Sequence, residues 1–149
     1  MKLRVFVFED NDALRGIISS ILENRGYEVL SYPEPFFCPI YLDRECPCPE
    51  DYACGDIFIT DNSMPNMTGL EFIESQVRHG CKAIEKNKAV MSGALKDAEL
   101  EQAKRLGCKT FEKPFRTNEL VSWLDECEKR IDPKRKLSDL PLHFKNDTG

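Results

Sequence analysis

The stretch Asp56-Ile57-Phe58-Ile59-Thr60-Asp61-Asn62-Ser63-Met64-Pro65-Asn66-Met67-Thr68-Gly69 constrains this chain more than any other. A strand-length apolar run ends on a carboxylate, and a turn punctuated by proline and glycine follows at once. A continuous apolar run of this length is the pattern of a strand covered on both faces, as in a parallel sheet. Its terminal Asp61 is then lifted out of the sheet at the strand's carboxyl end, where a ligand can reach it.

Three further runs end in the same way. Leu3-Arg4-Val5-Phe6-Val7-Phe8 runs into the acidic pair Glu9-Asp10, Lys88-Ala89-Val90-Met91 into Ser92, and Thr110-Phe111-Glu112 into Lys113. Each ending alone has a plain explanation. An acidic pair solvates a strand end, with Asn11 or Asp12 able to cap the next helix, and Ser-Gly or Lys-Pro marks a turn. Four together are another matter, because carboxyl ends of neighbouring strands in an open parallel sheet converge on one crevice.

Three carboxylates, a hydroxyl and an ammonium would meet there. Glu9, Asp10 and Asp61 at close quarters raise one another's pKa unless cations intervene. Lys113 supplies one positive charge. A hard divalent cation with few protein ligands and room for water and phosphate oxygens supplies the rest, which points to Mg²⁺. A metal-neutralised Asp61 is a competent nucleophile towards phosphorus, and Ser92 and Lys113 can hold the oxygens of the acyl phosphate so formed.

With Glu9-Asp10, Asp61 followed by Met64-Pro65-x-Met67-x-Gly69, Ser92-Gly93 and Lys113-Pro114-Phe115 in place, the chain resembles the receiver domain of two-component response regulators from about Lys2 to Ile131. The resemblance implies a doubly wound α/β fold of the flavodoxin-like kind. Its five-stranded parallel sheet has order 2-1-3-4-5 and helices on both faces, an order for which a receiver is a standard example. It implies Asp61 as phosphoacceptor, with Glu9, Asp10, Asp61 and the Ser63 backbone carbonyl as Mg²⁺ ligands. Ser92 takes the part of the switch hydroxyl, and Lys113 pairs with phosphate beside a cis bond to Pro114. The expected donor is a sensor histidine kinase or a phosphotransfer protein, and the expected output is changed binding of a downstream protein. Such a domain catalyses its own phosphorylation and dephosphorylation without being a turnover enzyme. A phosphatase with the same aspartate chemistry would want a second carboxylate two residues after the nucleophile, where Ser63 stands.

One position departs from the family. Three residues before the lysine, where an aromatic switch residue is usual, stands Thr110. Phe111 is one residue off and therefore on the opposite strand face. Either Phe111 serves as that aromatic or the domain signals without one, and the second is the expectation.

The helices between the strands read clearly. Leu14, Ile17, Ile18, Ile21 and Leu22 form an apolar stripe ending at Gly26, and Leu120, Trp123, Leu124, Cys127 and Ile131 form another, opened by Thr117 as cap. The segment from about 95 to 106, anchored by Leu95, Ala98, Ala103 and Leu106, is far more polar. Thin anchoring suits an element that shifts on phosphorylation, and suits a peripheral helix equally.

The second strand, about Tyr27 to Ser31, should be followed by an ordinary helix. Residues 32–55 instead hold five of the nine prolines and four of the seven cysteines. Proline at that density excludes a continuous helix. Cys38, Cys46, Cys48 and Cys54, spaced 8, 2 and 6 apart, raise an alternative function: a metal- or thiol-redox-sensing module on a receiver scaffold, holding Zn²⁺ or an iron–sulfur cluster. The spacing matches no standard finger, and free thiols in a loop account for it equally well. Cys81, Cys108 and Cys127 read as isolated.

The remaining sequence sets outer limits. A receiver domain at 1–131 leaves a polar tail at 132–149 with no output domain, and its apolar cluster Leu140-Pro141-Leu142-His143-Phe144 reads as a frayed terminus. A net charge of −5, with only the small basic cluster Lys134-Arg135-Lys136, argues against nucleic-acid binding. No signal peptide or membrane-length apolar run is read, so a cytoplasmic protein without membrane contact is expected.

Overall fold

The computed structural model describes residues 2–35, 38, 40, 45, 46, 48 and 52–138. Five strands, β1 (Arg4–Phe8), β2 (Glu28–Tyr32), β3 (Ile57–Asp61), β4 (Lys88–Ser92) and β5 (Lys109–Glu112), pair in parallel in the order β2-β1-β3-β4-β5. Four helices complete the described architecture: α1 (Asp12–Asn24), α2 (Gly69–Arg78), α3 (Asp97–Leu106) and α4 (Thr117–Lys129). The doubly wound sheet and its strand order are those expected from the sequence.

Strand alternation divides the interior into two sides. Val5, Val7, Ile57, Ile59, Ala89, Met91 and Phe111 face α1 and α4, meeting Ile18, Leu22, Leu120, Trp123, Leu124 and Cys127. Phe6, Phe8 and Phe58 face the opposite way, stacked in sequence, with Phe6 and Phe58 centroids 5.1 Å apart. Val90 on that same side meets α2 and α3 through Leu70, Ile73 and Ala103. The central strand β3 is buried at every position, whereas the edge strand β2 is half-buried throughout.

Local chemistry sets the helix ends. Asn11 caps α1, its side-chain oxygen accepting from the Leu14 amide at 2.9 Å, and Gly26 turns the chain out with φ +88°. Thr68 and Glu71 form a capping box at the start of α2. Two expectations need correction here. Ile17, placed in the α1 stripe, is 59% exposed, because a 13-residue helix on this sheet buries only the arc around Ile18 and Leu22. Thr117 is the first residue of α4, one place after the cap position, which is Arg116.

Between β2 and β3 no α-helix occurs among the described residues. Cys38, Ile40 and Cys54 instead cover Phe6, Phe8 and Phe58. Gly55 passes so close that a Cβ there would lie 2.7 Å from the Phe6 ring. Past α4 the chain stays against the domain as far as Ser138. Arg135 makes a forked pair with buried Asp56 at 2.6 and 2.8 Å, the Ser138 amide donates to the Ala53 carbonyl, and Arg4 donates to the Ser138 carbonyl. The apolar cluster 140–144 lies outside the described residues.

Candidate functional site

At the carboxyl ends of β1, β3 and β5 the sheet brings three of the expected residues into direct contact. Lys113 Nζ donates to Glu9 Oε1 at 2.7 Å and to Asp61 Oδ1 at 3.0 Å. Glu9 is fully buried and Asp61 is 4% exposed, while Asp10 beside them opens to solvent. One carboxylate oxygen from each of Glu9, Asp10 and Asp61 lies within 4.8 Å of the other two, the only such group of potential ligands among the described residues. Burial works against the charge on Lys113, but its hydrogen bonds to Glu9 and Asp61 outweigh burial and hold its pKa above the ordinary lysine value. The ammonium is therefore fixed in its charged form.

The surrounding backbone positions these groups. Arg15 donates to the Glu9 carbonyl at 2.6 Å, holding the β1–α1 turn. Gly69, the first residue of α2, presses on the end of β3, since a Cβ there would sit 2.6 Å from the Asp61 carbonyl oxygen. Ser63 is exposed in the loop directly after Asp61. Ser92 ends β4, one residue beyond the partner of Asp61 in the ladder. Its hydroxyl accepts from the Ala94 amide at 3.2 Å, and its carbonyl accepts from the Lys113 amide at 2.7 Å. The Lys113–Pro114 bond is cis.

A hydrogen bond from the residue after Asp61 ties the site to α3. Asn62, directly after Asp61, donates from Nδ2 to Glu99 at 2.9 Å and accepts at Oδ1 from the Leu70 amide at 3.1 Å. The Glu99 carboxyl is held below the usual range, chiefly by the Lys96 backbone amide and then by Asn62. Glu99 was not singled out from the sequence. Its signal is its third-residue position in α3, where a glutamate caps the helix start and leaves its second oxygen free.

The Thr110 question has a definite geometry. Phe111 is 3% exposed and packs in the core, edge-on to Trp123 at 5.6 Å and tilted against Phe115 at 5.2 Å. Thr110 faces the other way, lining a groove of about 330 Å³ with Ser92, Ala94, Leu95, Leu100 and Glu112. Phe111 also borders that groove, with its ring packed against Trp123 and Phe115.

The cysteines gather more fully than their spacing suggests. All seven are free thiols. Cys38, Cys46, Cys48 and Cys54 lie in one apolar cluster, and Cys81, read from sequence as isolated, joins them there. The correction has a simple origin: Cys81 follows the end of α2, and α2 packs beside the cysteine segment through Phe72. Cys127 belongs to the core on the other side, and Cys108 packs with α3.

No protein-family model matches the sequence, and no curated protein does. Solved structures do match, across most of the chain. The Vibrio cholerae chemotaxis protein CheY4 aligns with 22% identity and a TM-score of 0.64, covering 85% of this chain and 99% of that one. A CheY-like receiver domain from Methanospirillum hungatei aligns with 21% identity and a TM-score of 0.64, covering 88% and 100%. The Francisella response regulator 1452 receiver domain aligns with 17% identity and a TM-score of 0.68, covering 87% and 98%. At these identities the likeness is one of fold: the chain has the fold of CheY-like receiver domains.

Proposed function

We propose that this protein is a phosphoacceptor receiver of a two-component phosphorelay. It would take a phosphoryl group from a phosphohistidine, on a sensor kinase or a phosphotransfer protein, onto Asp61. The observation that supports this most is the placement of Asp61, nearly buried at a strand end, with Lys113 at 3.0 Å and two further carboxylates within reach. Two buried carboxylates and a third at the rim, sharing one lysine, are a costly arrangement for stability alone. It suits a site that receives a cation and a phosphoryl group.

In this reading an Asp61 carboxylate oxygen attacks phosphorus, the phosphorus–nitrogen bond to the donor histidine breaks, and the imidazole leaves with its electron pair. Glu9, Asp10, Asp61 and the Ser63 carbonyl would hold Mg²⁺, and three hard oxygen donors in a half-open pocket fit that ion. When bound, Mg²⁺ supplies charge neutralisation for the transferring oxygens. Lys113 turns from Asp61 to a phosphoryl oxygen, and the Ser92 hydroxyl donates to another. The domain would catalyse its own loading and unloading without acting as a turnover enzyme.

The donor would approach over α1. Exposed Ile17, with Leu14, Ile21, Pro114 and Phe115, lines an apolar groove of about 320 Å³ whose wall includes Lys113 itself. Output would pass through the Asn62–Glu99 bond to α3, and through Ser92 to the groove at Thr110. With Phe111 held in the core, switching would proceed without a β5 aromatic. No described helix is long and apolar enough to cross a membrane; a cytoplasmic site of action is part of the proposal.

The test is labelling with a small phosphodonor and Mg²⁺. One acid-stable, hydroxylamine-labile phosphoryl group per chain, absent in Asp61→Asn, is the expected result. Labelling that persists in Asp61→Asn would overturn the assignment.

A further inference from the structure

We infer that the cysteine cluster is a zinc site, with Cys38, Cys46, Cys48 and Cys81 as its four thiolate ligands. Five thiols converge there from three separate places in the chain: the segment after β2, the residue leading into β3, and the exit of α2. Electrostatic coupling links Cys46 with Cys48 and Cys81, and Cys38 with Cys46, Cys48 and Cys81, within the one cluster. Cys54 couples to Cys48 from the residue leading into β3, and is taken as a neighbour of the set.

Two turns are built to receive thiolates. The Ile40 backbone amide acts on the Cys38 sulfur and the Ala83 backbone amide on the Cys81 sulfur, each favouring the thiolate. In each case the donor stands two residues after the cysteine, so a tight turn aims a backbone N–H at sulfur. Such a donor favours negative charge on the sulfur it addresses. Burial works against that charge in the metal-free cluster and keeps these thiols neutral, so a bound cation would be needed to hold them as thiolates.

The second, independent observation is Lys88. Its side chain is 1% exposed, its ammonium lies 5.8 Å from the centre of the Phe58 ring, and no carboxylate pairs with it among the described residues. Its charge acts on Cys81. An ammonium buried without a counter-charge is costly. Four neutral thiols offer it no charge, whereas a tetrathiolate zinc centre is dianionic and would supply one. Sulfur ligands in an apolar shell also fit zinc better than a hard cation.

Zinc–sulfur bonds of about 2.3 Å place tetrahedral sulfur atoms about 3.8 Å apart. No three of the cysteine sulfurs lie mutually within 4.8 Å. Binding therefore draws the set inward, pinning the proline-rich segment to the end of α2 where a receiver's missing helix would otherwise pack.

The full chain, purified without air or chelator, tests this by metal analysis and native mass spectrometry. One zinc per chain is expected, lost in Cys46→Ser and Cys81→Ser, and retained in Cys54→Ser and Cys108→Ser. Cobalt substitution of the unmutated chain gives a readout that does not depend on how the variants fold: a thiolate-to-cobalt charge-transfer band with intense tetrahedral visible bands. A chain that stays metal-free with added zinc and shows no such bands overturns the site. So does iron with acid-labile sulfide in place of zinc. Zinc retained by Cys81→Ser, or lost from Cys54→Ser and kept by Cys38→Ser, overturns the ligand set. Asp61→Asn should leave zinc content unchanged, so this site and the phosphoryl site fail or stand separately.

Discussion

Replacing Lys113 with methionine removes a charge and keeps most of the side-chain volume, so its effect reports on the acidic crevice directly. In the parent, the ammonium lies 2.7 Å from Glu9 and 3.0 Å from Asp61. At an effective dielectric constant of about 20 these distances correspond to gross attractions of roughly 6 and 5.5 kcal/mol. Little of that survives as net stability, because all three groups lost hydration on folding. Removing one partner from a buried ionic cluster typically costs about 3–5 kcal/mol. The Lys113 side chain is 26% exposed, so solvent screens part of its effect, and about 2–4 kcal/mol is the expectation. For a domain of this size that is a fall in Tm of roughly 4–16 °C. The assay is urea or thermal unfolding in EDTA, repeated with saturating Mg²⁺. The ion should stabilise Lys113→Met by more than it stabilises the parent, since it finds an uncompensated trio of carboxylates. The pH dependence follows from the sign of the shift. Lys113 is held above its ordinary pKa, so its contribution is complete below the unfolded value of about 10.4 and is lost only as pH rises through the folded value. Parent and variant should therefore differ by a constant amount through neutral pH. Coincident unfolding midpoints in EDTA, or equal stabilisation of both by Mg²⁺, would refute this account of the site.

Other perturbations test neighbouring parts of the argument. Gly69→Ala places a methyl 2.6 Å from the Asp61 carbonyl, and the forced shift should cost about 1–3 kcal/mol in chemical denaturation while slowing phosphoryl uptake. Asn62→Ala removes one of the hydrogen bonds that hold the Glu99 carboxyl low, so its midpoint in a carbon-detected NMR titration should rise towards the ordinary glutamate value; an unmoved midpoint would show that Lys96 alone sets it. Glu99 stabilises the fold above its unfolded pKa and ceases to as pH falls through its lowered folded value, so the stability difference between parent and Glu99→Gln should narrow in acid. Arg135→Ala leaves buried Asp56 with only the Arg4 amide at 2.9 Å, and should lower stability by about 2–4 kcal/mol in urea unfolding without altering phosphoryl labelling. Ile17→Asp, on an exposed face, should leave unfolding unchanged and weaken transfer from a phosphohistidine donor, with labelling by a small phosphodonor intact.

The sheet and its crevice were legible because both rest on local patterns. Short strand-like runs ending at Glu9, Asp61, Ser92 and Lys113 specify strands whose ends chemistry can occupy, and parallel pairing then has to bring those ends together. Ile17 was misread because periodicity gives the direction of an apolar stripe but not its width, which the curvature of the sheet decides. Cys81 was missed for another reason. It lies 27 residues beyond Cys54 in sequence. It reaches the other thiols only because α2 returns along the sheet face that the proline-rich segment covers. The Asp56–Arg135 pair is of the same kind: neither residue carries a local signal, and their meeting depends on where α4 ends. Glu99 falls between these cases, its helix-start role visible locally and its bond to Asn62 visible only in three dimensions.

The docking of Ser138 beside Arg4 and Ala53 ties residue 138 to the amino-terminal edge of the sheet. Arg4 begins β1, and the acidic crevice lies beyond the other end of the same strands, a distance of about 13 Å for four residue steps. Ser138 therefore sits at the pole opposite the acidic crevice, with the whole sheet between them. A partner docked at Ser138 could not sense the crevice by leaning on it. It would have to read a change relayed through the body of the domain, or reach around the flank by a tether long enough to pass α2 or α4.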